Sequence, residues 1–180
     1  MSVPSLQRLS ITKECATYGS DEPRLEISTP CSKYLRSLNA EVLDLTDSLI
    51  FNRLLHLELN VCNSFRSKLL LSLLKYFPNL QSLNLGRTYP EDTEDQLYCL
   101  GSEPSSVPKC LSFHLESIQW RGYAGTLDER EAAAYILKNA HRLKTSTIRL
   151  HTTYMDNGQI IMKDLTSMSK ASASCQLVIE

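Results

Sequence analysis

The side chains best suited to acid–base chemistry or metal binding in this sequence are its histidines. They are His56, His114, His141 and His151. No two of them have the H-x-x-x-H or H-E-x-x-H spacing that places two zinc ligands on one helix face. The sequence also lacks a P-loop, a G-x-G-x-x-G fingerprint and a G-x-S-x-G elbow. We therefore predict a protein that is not an enzyme, with no cofactor and no metal site.

An acidic cluster lies within a polar, turn-rich segment that spans residues 87–106. Its members are Glu91, Asp92, Glu94 and Asp95. These residues lack the alternating D-x-D-x-D-G order and the distal Glu of a calcium loop, so a solvated loop is the better interpretation. We expect the segment to separate two structured regions, and we favour disorder over function for it.

Composition indicates a folded protein of ordinary charge. The 180 residues are 42% hydrophobic and 22% charged, and the formal net charge is −1. Neither a nucleic acid nor a membrane surface is therefore an expected partner. The N-terminus lacks the apolar stretch of a secretory signal, and no segment approaches the roughly 20 apolar residues of a membrane span. Six scattered cysteines suit a reducing compartment, so we expect an intracellular protein of the cytoplasm or nucleus.

The first half of the sequence repeats an L-x-x-L-x-L pattern that is typical of leucine-rich repeats. The copies are Leu6-x-x-Leu9-x-Ile11, a degenerate Ser32-x-x-Leu35-x-Ser37, Leu54-x-x-Leu57-x-Leu59 and Leu80-x-x-Leu83-x-Leu85. Their starts, at 6, 32, 54 and 80, have the spacing of this repeat. Each strand places alternate leucines on one face, which only stacking against neighbouring strands can bury.

Helical patterns lie between and after these strands. Residues 65–77 are leucine-rich and precede Pro78, so we predict a helix there, with Leu70, Leu73, Leu74 and Phe77 on its buried face. Thr126 and Glu129 have the spacing of a capping box for a helix that runs to about Ala140. Its predicted buried positions are Ala133, Ile136, Leu137 and Ala140. A short helix near 160–168 and a strand at 176–179 complete the prediction, the strand covering the end of the array.

The last seventy-odd residues combine several dispersed blocks in a fixed order. These are Val107-Pro108-Lys109-Cys110, then the run from Leu115 to Tyr123 that includes Trp120-Arg121-Gly122, then Tyr135-Ile136-Leu137-Lys138-Asn139-Ala140, and finally Ser174-Cys175-Gln176-Leu177-Val178. Together they resemble the FBD domain of plant F-box and leucine-rich-repeat proteins. The domains expected are thus partial leucine-rich repeats at 1–86, an acidic loop at 87–106 and an FBD domain at 107–180.

The repeat pattern continues into the FBD-like region. It recurs at Leu115-x-x-Ile118-x-Trp120 and, more weakly, at Leu143-x-x-Ser146-x-Ile148. We therefore predict an α/β fold, a short and irregular leucine-rich-repeat solenoid in which the FBD unit continues the parallel strand layer. The first strand is expected to leave an unpaired edge and an apolar end-face.

The resemblance implies a role in ubiquitin ligation without catalysis. In this family an N-terminal F-box binds the adaptor of an SCF-type ligase and the repeats bind the target, so the receptor acts by raising an effective concentration. The sequence begins within what resembles a repeat, and we expect no F-box in it. Adaptor binding would then need an F-box supplied elsewhere, and a truncated product, a fragment and a shortened paralogue remain open.

The leading prediction is a protein-interaction module whose concave strand face binds an unknown protein. The candidate partner-binding residues are Glu58, Gln81, Gln119 and Arg121, and the expected structural residues are Leu57, Leu59, Leu83, Leu85, Ile118 and Trp120. Gly122 is expected to adopt a backbone conformation that a Cβ would strain, while the position of Tyr123 stays open.

Two alternatives belong to other classes. One is a solenoid that senses a small anionic ligand, which Lys and Arg disfavour because they do not recur at a fixed repeat position. The other is a relic with no present activity.

Overall fold

The computed structural model describes residues 8–13, 25–28, 51–61, 67–87, 106–151 and 158–180. Strands and helices alternate along most of this chain. In order they are β1 (Arg8–Lys13), β2 (Leu25–Ser28), β3 (His56–Val61), α1 (Ser67–Leu74), β4 (Ser82–Arg87), α2 (Lys109–Phe113), β5 (Ser117–Tyr123), α3 (Leu127–Asn139), β6 (Thr145–Leu150), α4 (Gly158–Ser167) and β7 (Gln176–Ile179).

All seven strands form one sheet in the order β2-β1-β3-β4-β5-β6-β7. Every neighbouring pair is parallel except β1 and β2, which are antiparallel. From β3 to β7 the spatial order of the strands is their order in the chain. The predicted α/β class and the parallel layer are therefore confirmed, and β5 continues that layer beside β4.

The first strand departs from the prediction in two ways. β1 was expected to be an unpaired edge, but it pairs on one side with β2, from Ser10 opposite Ser28 to Lys13 opposite Leu25. That expectation was wrong because the antiparallel strand β2 shows no leucine-repeat pattern by which it could have been found. On its other side β1 pairs directly with β3, so the strand order does not follow the four predicted repeat starts. The degenerate copy at 32–37 lies outside the described residues.

Strand register aligns the repeat leucines into rows across the sheet. Leu57, Leu83 and Ile118 are register partners in one row, and Leu59, Leu85 and Trp120 are partners in the next. All six side chains are buried, as the repeat pattern predicts. Fully burying one such side chain contributes roughly 1.5–3 kcal/mol, so these rows are a main source of stability.

The first helix is shorter than its sequence predicts. α1 ends at Leu74, and the chain turns through Lys75 and Tyr76 before Pro78. Leu70 and Leu74 are buried as expected, and Leu73 is only partly buried. Phe77 is buried from the following turn, where its ring lies 5.5 Å from that of Phe51. The apolar pattern thus predicts the buried positions correctly, although it predicts a helix longer than α1.

The FBD-like helix α3 begins at the predicted capping box. The Thr126 hydroxyl accepts from the backbone N–H of Glu129, and a Glu129 carboxylate oxygen accepts from the backbone N–H of Thr126. The same oxygen accepts from the backbone N–H of Ala124 at 3.0 Å. Glu129 is therefore buried because it satisfies the free N–H groups of the turn before the helix.

The helices join the strand rows in one hydrophobic core. Helix α3 packs against α1, α2 and α4. Its predicted core positions are all buried: Ala133, Ile136, Leu137 and Ala140. Ile161 and Leu165 of α4 join the same cluster, and their approach depends on Gly125, where a Cβ would lie 2.9 Å from Ile161. The predicted short helix near 160–168 is therefore confirmed, with bounds at Gly158 and Ser167.

Of the segment 87–106, Arg87 is the last residue of β4 and Ser106 is described; the remainder, with the acidic cluster, lies outside the described residues.

Candidate interaction surface

The surface of the sheet opposite the core carries mostly polar side chains, with one glycine and one valine, and we call it the open face. Its members alternate with the residues that face the core. They are Arg8, Ser10, His56, Glu58, Asn60, Ser82, Asn84, Gly86, Ser117, Gln119, Arg121, Thr145, Thr147, Arg149, Gln176 and Val178. Because side chains alternate along a strand, the residues that hold the fold and those that face outward are separate sets.

An ion pair crosses the open face between two strands that are not neighbours. Arg121 of β5 donates from Nη2 to Oε1 of Glu58 on β3, at 2.7 Å, and so spans β4. The same Glu58 oxygen accepts from Nδ2 of Asn60 at 3.2 Å. The three side chains form one polar cluster that ties β3 to β5 above the sheet.

Gly86 of β4 leaves room for this cluster. A Cβ at Gly86 would overlap with Oδ1 of Asn60 and would lie 3.8 Å from Nη2 of Arg121. A side chain at this position would force Asn60 to move from beside Glu58. The glycine therefore leaves room for Asn60 beside Glu58.

A β-bulge at Gly122 sets which side chains of β5 face outward. The register changes between Arg121, which faces Arg149, and Tyr123, which faces Leu150. Gly122 is the extra residue and has a φ of 75°, the left-handed conformation that its predicted role requires. By strict alternation Tyr123 would share the open face with Arg121. Instead the bulge turns it into the core, where it is fully buried.

Tyr123 packs edge-on against Trp120, with ring centroids 5.1 Å apart and planes at 89°. This settles the position that the sequence left open, and it confirms that Trp120 belongs to the core. Burial raises the pKa of the Tyr123 hydroxyl well above its usual range, and the nearby Glu129 carboxylate raises it further. The aromatic pair thus anchors the end of β5 and leaves Arg121 outside.

A second arginine lies beside Arg121 on the open face. Arg149 of β6 is its register partner, and its Nε donates to Oε2 of Glu180 at 2.8 Å. Arg121 is thus paired with a glutamate toward β3, and Arg149 with a glutamate that follows β7. From β3 toward β7 the charged groups are therefore a negative Glu58, a positive Arg121, a positive Arg149 and a negative Glu180.

Known proteins resemble the chain in the region that carries Gln119 and Arg121 and along its whole length. Residues 103–148 match the FBD family model. An F-box/FBD/LRR-repeat protein of Arabidopsis thaliana is 43% identical over the whole chain, which covers 52% of that protein. The chain is therefore similar to F-box/FBD/LRR-repeat proteins of plants along its whole length. Its FBD match begins before α2 and includes β5, α3 and most of β6.

Two further proteins of this kind, both from Arabidopsis thaliana, match the chain along nearly its whole length. An FBD-associated F-box protein is 37% identical over 99% of the chain, which covers 50% of that relative. An F-box/FBD/LRR-repeat protein is 33% identical over the whole chain, which covers 48% of it. The chain therefore spans about half the length of the curated relatives it matches. No solved structure matches it.

The predicted partner-binding residues come from both inside and outside the FBD match. Gln119 and Arg121 lie within the FBD match, while Glu58 comes from the repeat region and reaches Arg121 through the ion pair. These three residues share the open face. Gln81 does not, because it precedes β4, where its backbone carbonyl accepts from the N–H groups of Glu116 and Ser117.

Sequence reasoning missed Arg149, although a signal for it was present. Arg149 follows Ile148 as Arg121 follows Trp120, at equivalent positions of two successive copies of the repeat pattern. The two arginines are also register partners. The expectation that basic residues do not recur at a fixed repeat position was therefore wrong for this pair.

Another ion pair lies where β5 and β6 begin. Lys144 donates to Glu116 at 2.7 Å, and this hydrogen bond and charge lower the pKa of Glu116. Both side chains are largely exposed, so the pair is a minor contributor to stability.

Within the described ranges, no cluster of three His, Cys, Asp or Glu side chains could hold a metal ion. His56 is on the open face, whereas His151 is buried and donates its backbone N–H to the carbonyl of Tyr123. Among the helices that the structure describes, none is long and apolar enough to cross a membrane.

Proposed function

We propose that this chain is a non-catalytic protein-interaction module, the repeat and FBD part of an F-box-type receptor, and that its open face binds a protein target. In this proposal β1 and β3–β7 form a short leucine-rich-repeat solenoid. The names of its relatives, which join F-box, FBD and leucine-rich repeats, support this role.

The observation that carries the proposal is the separation of core and surface along β3–β6. The buried residues of these strands form the hydrophobic rows, and the residues between them form a polar surface drawn from both the repeats and the FBD. Specific protein interfaces use such surfaces when a rigid scaffold holds the polar groups in place.

Charge exchange across the Glu58–Arg121 pair provides the test. Glu58→Arg and Arg121→Glu each remove the ion pair, whereas the double variant re-forms it with reversed charges. We expect the double variant to keep the fold, measured by circular dichroism, and to lose proteins that the intact chain captures from plant extract, identified by mass spectrometry. Glu131→Arg, an exposed position on α3, is the control and retains them. Equal capture by the double variant would contradict recognition through the open face.

The adaptor of the ligase is a partner in this proposal only through an F-box. We expect the chain alone not to co-precipitate the adaptor, and the same chain fused to the F-box of a relative to do so. Co-precipitation by the chain alone would contradict this division of roles. The scattered cysteines are consistent with an intracellular setting, in the cytoplasm or the nucleus.

Target binding through the open face requires neither catalysis nor a cofactor.

A further inference from the structure

We infer that the outer edge of β7 joins a second copy of this chain, so that the two sheets continue into one across a two-fold axis at Val178. β7 (Gln176–Ile179) is the last strand of the sheet and, among the strands that the structure describes, pairs on one side only, with β6. Self-association at this edge goes beyond the proposed function, since it does not involve a target.

The backbone of β7 directs the groups of two residues away from the sheet. Gln176 and Glu180 donate their backbone N–H groups to carbonyls on the β6 side, at 2.9 Å each, and the register gives Val178 the same direction. The N–H and C=O groups of Leu177 and Ile179 therefore point outward, because alternate residues of a strand bond to opposite sides. Such outward groups are a template for one further strand.

The side chains of β7 do not protect this edge. Edge strands are commonly blunted by charged side chains, by proline or by bulges, and Gln176–Ile179 carries none of these. Val178 is 44% exposed on the open face, while Leu177 and Ile179 are only partly buried against the core. A strand added beside β7 covers apolar surface on both faces of the sheet.

The sequence of β7 is complementary to itself in one antiparallel register. With Val178 opposite Val178 of the second copy, Leu177 lies opposite Ile179 of that copy, and Ile179 opposite its Leu177. These two outer pairs carry the outward backbone groups, and each exchanges two N–H···O bonds, as the antiparallel ladder requires. The side-chain contacts are Val to Val on the open face and Leu to Ile on the core face, so a second copy satisfies both the backbone and the apolar side chains of the edge.

The charges at the end of β7 fit the same register. Glu180 lies opposite Gln176 of the second copy, so the two Glu180 residues are four strand positions apart, about 14 Å. Glu180 keeps its ion pair with Arg149, and an amide N–H of Gln176 can donate to the carboxylate as well. No like charges therefore face each other across the axis between residues 176 and 180 of the two copies.

Helix α4 adds an apolar side chain on the same side of the molecule. Asp164 on one side of α4 pairs with Arg130 of α3. Met162 is two residues earlier, hence on the opposite side of the helix, and is 40% exposed. That side faces away from α3, toward the end of the array that the second copy approaches. The apolar edge of β7 is thus continued in the helix layer.

A two-fold joint of this kind closes with two copies, so it gives a dimer and not a fibre. Each copy contributes a strand of only four residues. The interface is therefore small, and we expect a dissociation constant of roughly 10–100 μM.

Sedimentation velocity of the intact chain over a concentration series is the first test. The mass should rise from 20.4 kDa toward twice that value. Val178→Lys and Val178→Glu should each weaken dimerisation by more than about tenfold, because like charges then face each other at the axis. An equimolar mixture of these two variants should dimerise again, since lysine then faces glutamate.

Two variants serve as matched controls and should dimerise like the parent. Val178→Thr keeps a β-branched side chain at the axis, and Thr145→Lys places a charge at an exposed open-face position of β6, one strand away from the edge. Circular dichroism checks that every variant is folded.

Cysteine cross-linking tests the register. Opposed residues of this type have Cα atoms about 4.5 Å apart, within the range that a disulfide bridges. Mild oxidation of Val178→Cys should therefore give a covalent dimer. Gln176→Cys, on the same face of the same strand, should give no more than the parent, which has six cysteines of its own.

A chain that stays monomeric throughout the series would overturn the inference. A dimer that Val178→Lys leaves intact would do the same, because it would form through another surface. Failure of the mixed variants to recover, or equal cross-linking at 176 and 178, would rule out the two-fold register and with it the inference. A monomeric chain that retains a plant protein only while Val178 is intact would overturn it in favour of a target strand at this edge.

Discussion

Arg121 on β5 and Glu58 on β3 are joined by a 2.7 Å ion pair that passes over the intervening strand β4. Both side chains are more than a third exposed, so solvent screens their attraction. We predict a coupling energy below about 1 kcal/mol in a double-mutant cycle with Glu58→Gln and Arg121→Gln, measured by urea unfolding. The coupling should shrink as salt is added. A coupling of several kcal/mol would mean that the pair is a structural element and not an exchangeable surface contact.

Gly122 and Gly158 form a contrasting pair for substitution by alanine. Gly122 has a φ of 75°, where a Cβ is strained, so Gly122→Ala should lower the free energy of unfolding by about 1–2 kcal/mol. At Gly158, on the first turn of α4, a Cβ would meet just one of the described residues, Leu150, at 3.8 Å. Gly158→Ala should therefore be neutral or stabilise by up to about 1 kcal/mol. Equal effects at the two sites would show that the bulge does not constrain β5.

Tyr123→Phe removes a buried hydroxyl that has no hydrogen-bond partner within the described part of the chain. A buried polar group without a partner costs about 1–3 kcal/mol, so the variant should be as stable as the parent or more so, by roughly 1 kcal/mol. The edge-on contact with Trp120 is kept. Trp120 is the one tryptophan in the sequence, so its fluorescence reports the unfolding directly. Clear destabilisation would indicate that the hydroxyl is bonded in solution.

Cys110 should make stability fall in alkaline solution. Burial raises the pKa of its thiol from 9.0 to about 12. Above pH 9 the unfolded chain loses this proton while the folded chain keeps it, so the free energy of unfolding decreases between pH 9 and 12. Cys110→Ala should reduce this slope in urea unfolding followed over pH. Peptide mapping after alkylation at pH 8 should find Cys110 unmodified in the folded protein and modified in urea; modification at equal rates would contradict its burial.

Much of the fold could be predicted because the repeat leucines have two constraints, spacing and alternation, that point to the same strands. Register partners such as Leu59, Leu85 and Trp120 follow directly from the aligned copies. The antiparallel strand β2 could not be predicted in this way, since Leu25–Ser28 carries no copy of the leucine-repeat pattern.

The surface was predicted less well than the core. Glu58 and Arg121 were placed on one face correctly, but no local pattern in the sequence predicts that they pair with each other across β4. Tyr123 could not be assigned from alternation because the bulge shifts the register by one residue. Arg149 could have been found by extending the weak copy of the repeat at residues 143–148 by one residue.

The alternation along β3–β6 also allows the outward residues to evolve separately from the core. Outward positions other than Gly86 can be replaced while the neighbouring inward residues stay as they are, and each strand contributes its own positions from a different stretch of the gene. If the open face binds targets as proposed, specificity for a new target is acquired stepwise, one codon at a time, with little loss of stability at any step.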